Sequence, residues 1–185
     1  MQEMMKEKSN EDLSHKLDYR RLSKDLGGAP QKRLDLLIVG PAGVGKSSLI
    51  RRLRNNEFSE RTDPTYGLDF AQHLYSSGDF ICNAKIWDSS GQPHLRDTVR
   101  TQYRQANAIM FVFDVTRRET LDDVTTYVEA AKLQQSGRKQ ELILVGNKID
   151  VAAEREVSRE DADTFVLKHG MNDYREVRDP FRSDH

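Results

Sequence analysis

Residues 40–48 read GPAGVGKSS and follow directly on the apolar run LDLLIV. The spacing Gly40-x-x-x-x-Gly45-Lys46-Ser47 can do a definite piece of chemistry. Glycines let a backbone curl so that successive N–H groups point inward and ring an anion. A helix beginning at Lys46 adds its free N–H groups and positive end to the same field. Lys46 then supplies an ammonium for β- and γ-phosphates, and Ser47 a hydroxyl suited to Mg²⁺. The plain alternative is a Gly-rich turn. Even as a phosphate loop, the segment chooses neither ATP nor GTP, nor kinase over hydrolase.

Two further clusters narrow the choice. WDSSGQ, Trp87–Gln92, follows an expected strand. A carboxylate at the C-terminal tip of a strand lies where ligands collect in a parallel sheet. Asp88 could there hold Mg²⁺ through a water, Gly91 bring its N–H close to a γ-phosphate, and Gln92 orient a water for in-line attack. Asn147-Lys148-Ile149-Asp150 follows the apolar run ELILVG. A carboxylate accepts hydrogen bonds and cannot donate them. Guanine offers N1–H and N2–H₂ side by side and adenine does not, so Asp150 fits guanine and rejects adenine.

These residues need elements to position them. The sequence predicts a strand at Leu34–Val39, a helix at Lys46–Asn55, and a strand pair at Asp69–Tyr75 and Phe80–Asp88 around the turn SSGD. Ala108–Asp114 and Glu141–Gly146 are apolar runs suited to the middle of a parallel sheet. Leu121–Gln134 has helical periodicity and closes near Gly137. Ser158 is placed to cap a helix ending near His169, with Asp161 three residues on and Gly170 just beyond the end. Tyr174–Val177 is the last expected strand. Alternation of this kind predicts an α/β fold, a mostly parallel sheet flanked by helices.

Composition agrees with one domain. The chain has 185 residues and a formal net charge of −1, which gives no general pull toward nucleic acid or an anionic membrane. Its single cysteine, Cys82, excludes an internal disulfide framework and reads as a core thiol. No apolar run approaches the ~20 residues needed to span a bilayer. The first residues are too polar for a secretory signal, and no lipid-anchor motif is visible. The five histidines have no ligand spacing. Residues 1–33 read as a polar extension in which Leu13, Leu17, Leu22 and Leu26 share one helical face. That helix is either solvated or docked. Residues 34–177 read as the domain and 178–185 as a short polar tail.

The three motifs, in this order and spacing, resemble the Ras-superfamily small GTPases. GVGKSSL, YGLDF at Tyr66–Phe70, IWD at Ile86–Asp88 and FDVT at Phe113–Thr116 are similar to the Rab branch. The resemblance runs from about Leu34 to about Val177 and implies a P-loop NTPase fold that binds GTP and GDP with Mg²⁺ and hydrolyses GTP slowly. It implies nucleotide contacts from Gly40, Ala42, Gly43, Val44, Gly45, Lys46, Ser47, Ser48, Asn147, Lys148 and Asp150. It implies metal contacts from Ser47, Thr65 and, through water, Asp88, and catalytic roles for Gln92 and Lys46. Thr65 and Gly91 would sense the γ-phosphate. Phe58 would pack on guanine, or else in the core. Phe70 and Trp87 would face effectors, or else lie buried. Implied partners are an exchange factor, a GTPase-activating protein and effectors. The implied setting is cytoplasmic, peripheral to intracellular membranes through partners, in vesicle traffic or related signalling.

Five departures qualify the resemblance, of which Ser89-Ser90 in place of the family's Thr-Ala is expected to be mild. Ala42 stands where Ras proteins carry glycine, and Pro93 pushes Gln92 toward extended backbone. Gln102 replaces the third effector-facing aromatic, beside Tyr103. After YREV the chain reads RDPFRSDH, without the family's Ser-Ala-Lys loop or its final helix. One face of the sheet is then expected to be bare, with the N-terminal leucine stripe partly covering it, or else the chain is a truncated or alternatively spliced form with weakened nucleotide binding. A non-hydrolysing guanine-nucleotide scaffold and an ATP-directed P-loop enzyme remain alternatives.

Overall fold

The structure is a computed structural model and describes residues 31–55, 68–77, 80–89, 99–135, 137 and 139–178. Among the described residues six strands form one sheet in the order β2-β3-β1-β4-β5-β6. They are β1 (Gln31–Val39), β2 (Leu68–Ser77), β3 (Phe80–Ser89), β4 (Ala108–Asp114), β5 (Glu141–Asn147) and β6 (Asp173–Glu176). Among the described residues four α-helices accompany them: α1 (Lys46–Asn55), α2 (Arg100–Gln105), α3 (Arg118–Leu133) and α4 (Arg159–His169). β1, β4, β5 and β6 are mutually parallel, with Leu37 opposite Ile109, Phe111 opposite Leu144 and Leu144 opposite Tyr174. Only two residues separate the adjacent strands β2 and β3, so that pair is antiparallel.

The chain divides into two compact units. One takes in residues 1–33 and His73–Ala84, and its described residues are all strand. Cys82 lies there, partly buried rather than in the core. The other unit, Leu34–Gln72 and Lys85–His185, carries every described residue of the three motifs.

In the larger unit the alternation of strand side chains divides the core. Leu37, Val39, Ile109, Phe111, Phe113, Leu142 and Leu144 meet Leu121, Val124, Tyr127 and Val128 of α3 and Phe165 of α4 in one buried cluster. Residues of opposite parity, such as Ile38, Val112 and Val145, are buried as well. On that second parity Met110 and Ile143 are only partly buried. The N-terminal leucine stripe expected to cover the face lies outside the described residues.

Several boundaries differ from expectation for physical reasons. β1 starts at Gln31 rather than Leu34, because a strand can extend along its neighbours whatever its polarity. α3 runs Arg118–Leu133 rather than Leu121–Gln134. Its first turn carries no periodic apolar residue but is held by the Arg118 N–H, which donates to Glu156 Oε2 at 2.7 Å. α2 had no sequence signal, since Tyr103 is its one buried residue. It is held from outside: Gln140 Nε2 donates to the Tyr103 and Ala106 carbonyls at 2.6 and 2.8 Å.

α4 follows its sequence signals closely. Ser158 Oγ accepts from the Asp161 N–H at 3.1 Å, and Asp161 Oδ2 accepts from the Ser158 N–H at 3.1 Å. Gly170 closes the helix in the left-handed region at φ 61°. Ser158→Ala removes one half of this reciprocal cap. It should cost about 1 kcal/mol and lower the midpoint of thermal unfolding by roughly 2–4 °C. Calorimetry on the full chain checks this, and an unchanged midpoint would show that the cap carries no net stability.

Candidate functional site

Parallel strands send their C-terminal ends to one edge of the sheet. β1 lies between β3 and β4, where the strand order reverses, so its loop opens into the crevice where ligands bind in such sheets. That loop is 40–45. Gly40, Gly43 and Gly45 have φ values of 148°, 76° and 94°. Gly40 backs against the Val112 carbonyl, and Gly45 against the Asn147 amide, so closely that a Cβ at either would collide. Val44 is fully buried and pins the loop, whereas Ala42 and Gly43 are exposed at its rim.

The Gly45 carbonyl accepts from the Leu49 N–H at 3.0 Å, opening α1. No acidic residue in the first turn of α1 offsets its positive end, and Ser47 and Ser48 lie there half-buried. The Lys46 ammonium turns back under the loop and donates to the Gly40 and Pro41 carbonyls at 2.9 and 2.7 Å. Burial pulls the Lys46 pKa down from 10.5 to about 8, and the nearby Asp88 carboxylate partly resists that shift.

Asp88, near the end of β3, is itself buried. The next residue fixes that strand end, as Ser89 Oγ donates to the Ile38 carbonyl at 2.8 Å. The site therefore offers an inward-curled backbone, a buried ammonium, a helix N-terminus, and hard oxygen donors at Ser47 and Asp88. Such donors fit Mg²⁺.

Asn147 ends β5 and reaches the phosphate loop, its Nδ2 donating to the Val44 carbonyl at 2.8 Å. Lys148 is the one described non-glycine residue with positive φ, at 68°. Its ammonium lies 2.6 Å from Asp114 Oδ2, at the end of β4. Asp114 Oδ1 accepts from Thr116 N–H and Thr116 Oγ1 at 3.0 and 2.7 Å. Burial alone would raise the Asp114 pKa, but the bonds from Lys148 and Thr116 outweigh it and hold the carboxyl below its ordinary value. A left-handed residue costs about 1–2 kcal/mol. The ion pair with buried Asp114 works against that cost, with the Lys148 side chain itself 34% exposed.

The rest of this second loop is braced by backbone. The Val177 N–H donates to the Gly146 carbonyl at 2.9 Å, and the Ile149 N–H approaches the Val177 carbonyl at 3.5 Å. A turn bond joins the Val151 N–H to the Lys148 carbonyl at 3.1 Å and carries half-buried Asp150 within it. Below, Arg155 donates to Glu176 Oε1 from Nη1 and Nη2 at 3.0 and 3.1 Å, and the Tyr174 hydroxyl donates to the same oxygen at 2.9 Å.

The structure thus brings together Gly40, Ala42, Gly43, Val44, Gly45, Lys46, Ser47, Ser48, Asp88, Asn147, Lys148 and Asp150 at one sheet edge. Phe58, Thr65, Gly91 and Gln92 lie outside the described residues, as does Pro93. Phe70 is 49% exposed, and its ring lies 5.2 Å from that of Trp87. The Lys85 ammonium sits 4.2 and 4.0 Å from the two ring centres. Phe70 is therefore a surface residue, Trp87 is partly buried beside it, and Tyr103 is in the core. Asp114 had no assigned role in the sequence. Its signal is a carboxylate closing an apolar strand, the same signal that Asp88 carries.

The sequence model of the Ras family matches residues 35–178. The chain belongs to that family, whose members are GTP-binding switches.

The buried Lys46 ammonium has a measurable consequence. An anion beside it favours the protonated form, so nucleotide binding should take up a proton, increasingly from pH 7 to pH 8.5. Calorimetry in buffers of different ionisation enthalpy reads this uptake, and Lys46→Met should abolish it. In the ligand-free protein the folded pKa lies below the unfolded one. This group therefore makes folding more favourable as pH rises from about 8 to 10.5. Binding without proton uptake would contradict the assignment.

Proposed function

We propose that this Ras-family chain is a guanine-nucleotide switch of the Rab kind, acting in vesicle traffic at intracellular membranes through its partners. The observation that carries the reading is the hydrogen bond from Asn147 to Val44. It joins the loop chemically suited to phosphate to the loop chemically suited to guanine, so one purine nucleotide can engage both.

In this reading the N–H groups of 43–48 and the Lys46 ammonium bind the phosphates. Asp150 accepts from the guanine N1–H and N2–H₂, and the Lys148 stem lies against the base. Ser47, Thr65 and, through water, Asp88 would hold Mg²⁺, which would help neutralise the phosphate charge. Gln92 positions the attacking water. Thr65 and Gly91 make their contacts only while a γ-phosphate is present, so hydrolysis releases their segments. Exchange factor, activating protein and effectors then distinguish the two states, with Phe70 and Trp87 on the effector side.

Two measurements test this. Titration with labelled GDP, GTP and ATP in Mg²⁺ should show guanine nucleotides bound far more tightly than ATP. Asp150→Ala should weaken GDP by about 10²-fold or more, since each hydrogen bond to a charged acceptor is worth about 1.5–3 kcal/mol, and leave ATP unchanged. Tighter ATP than GTP binding would instead make the chain an ATP-directed enzyme.

Single-turnover hydrolysis separates a switch enzyme from a scaffold. Gln92→Ala should slow GTP hydrolysis and leave GDP affinity intact. Equal rates in the two proteins would mean that Gln92 does not take part, and would favour a scaffold that binds without turnover. Ala42, exposed at the loop rim, would then be part of the reason.

A further inference from the structure

We propose that Asp114 is a positioning residue for guanine binding: its carboxylate holds the Lys148 ammonium and so fixes the Lys148 stem as one wall of the base slot. The inference rests on the guanine-nucleotide reading above.

The two carboxylate oxygens have different duties. Oδ1 is taken by the Thr116 N–H and hydroxyl, which form the turn that leaves β4. Oδ2 faces Lys148 Nζ at 2.6 Å, with Arg117 Nε further off at 3.5 Å. Arg117 is also shared with Glu119, at 3.7 Å, and is 43% exposed, so it is the lesser partner. The turn needs only an acceptor at Oδ1. The negative charge is needed at Oδ2.

Neither group can drift. Asp114 is 1% exposed and stands directly opposite Asn147 in the β4–β5 register. Its backbone is fixed as well, the Asp114 N–H lying 3.0 Å from Thr120 Oγ1. Lys148 follows Asn147 in the chain and adopts the left-handed backbone that lets its side chain turn back toward β4. A four-carbon stem tethered at both ends has few rotamers left, and its apolar flank is then presented as a fixed surface. Asp114 itself does not need to touch the nucleotide.

Asp114→Asn separates the two duties, since the amide oxygen can still accept from Thr116 while its NH₂ opposes the Lys148 ammonium. Release of fluorescently labelled GDP from the full chain in Mg²⁺ provides the readout. Asp114→Asn and Lys148→Met should each speed release by about tenfold, within the range for coupled neighbours. The double variant should release no faster than Lys148→Met alone. Multiplied effects with Lys148→Met, or unchanged release in Asp114→Asn, would overturn the proposal.

Should Asp114→Asn not fold, the reciprocal series decides. Lys148→Arg can still pair with Asp114 and should release slowly, while Lys148→Gln should not. Equal release by these two would overturn the proposal. Wild-type protein that retains no guanine nucleotide would overturn the functional reading and this inference together. A binding wild type with multiplied effects would overturn the inference alone.

Discussion

One amide hydrogen bond turns two loops into a site. Asn147 donates to the Val44 carbonyl across 103 positions of chain. For that bond to form, β1, β4 and β5 must be parallel and in register, and Gly45 must lack a side chain, since a Cβ there would occupy the space of the Asn147 amide. The sheet, the glycine and the asparagine are thus one requirement. Moving any of them separates a region suited to phosphate from a region suited to a purine.

Around that bond, charge is arranged in pairs, each with a buried carboxylate. The Lys46 ammonium has Asp88 nearby, and the Lys148 ammonium has Asp114. The two pairs differ in balance. At Lys46 burial dominates, leaving an ammonium that gains from an arriving anion. At Asp114 the partners dominate, leaving a carboxylate that stays ionised. The first arrangement suits a group that meets a ligand, and the second a group that holds another group still.

The parts of this design that depend on local sequence were legible in it. The glycine spacing, the capping box at Ser158 and the apolar runs of β4 and β5 each follow from neighbouring residues, and each stands where expected. Parts fixed by distant residues were not. α2 depends on Gln140, which follows α3 in the chain, and the ion pair of Asp114 depends on a lysine in the loop after another strand. The bracing of Ile149 by Val177 was also illegible, because a backbone carbonyl leaves no mark on residue type. The resemblance had pointed to a missing Ser-Ala-Lys loop at that place. The structure braces the backbone there through Val177 and anchors β6 with the Arg155–Glu176–Tyr174 group.

The stack of Phe70, Lys85 and Trp87 has an optical consequence. The chain contains one tryptophan, and it immediately precedes Asp88. Its indole shares an ammonium with a half-exposed phenyl ring. Excited-state energy of an indole responds to charge and solvent at its face. Emission excited at the red edge of the indole band, where tyrosine does not absorb, therefore comes from a single chromophore beside Asp88, and rearrangement of the surface around Phe70 would register in its colour and intensity.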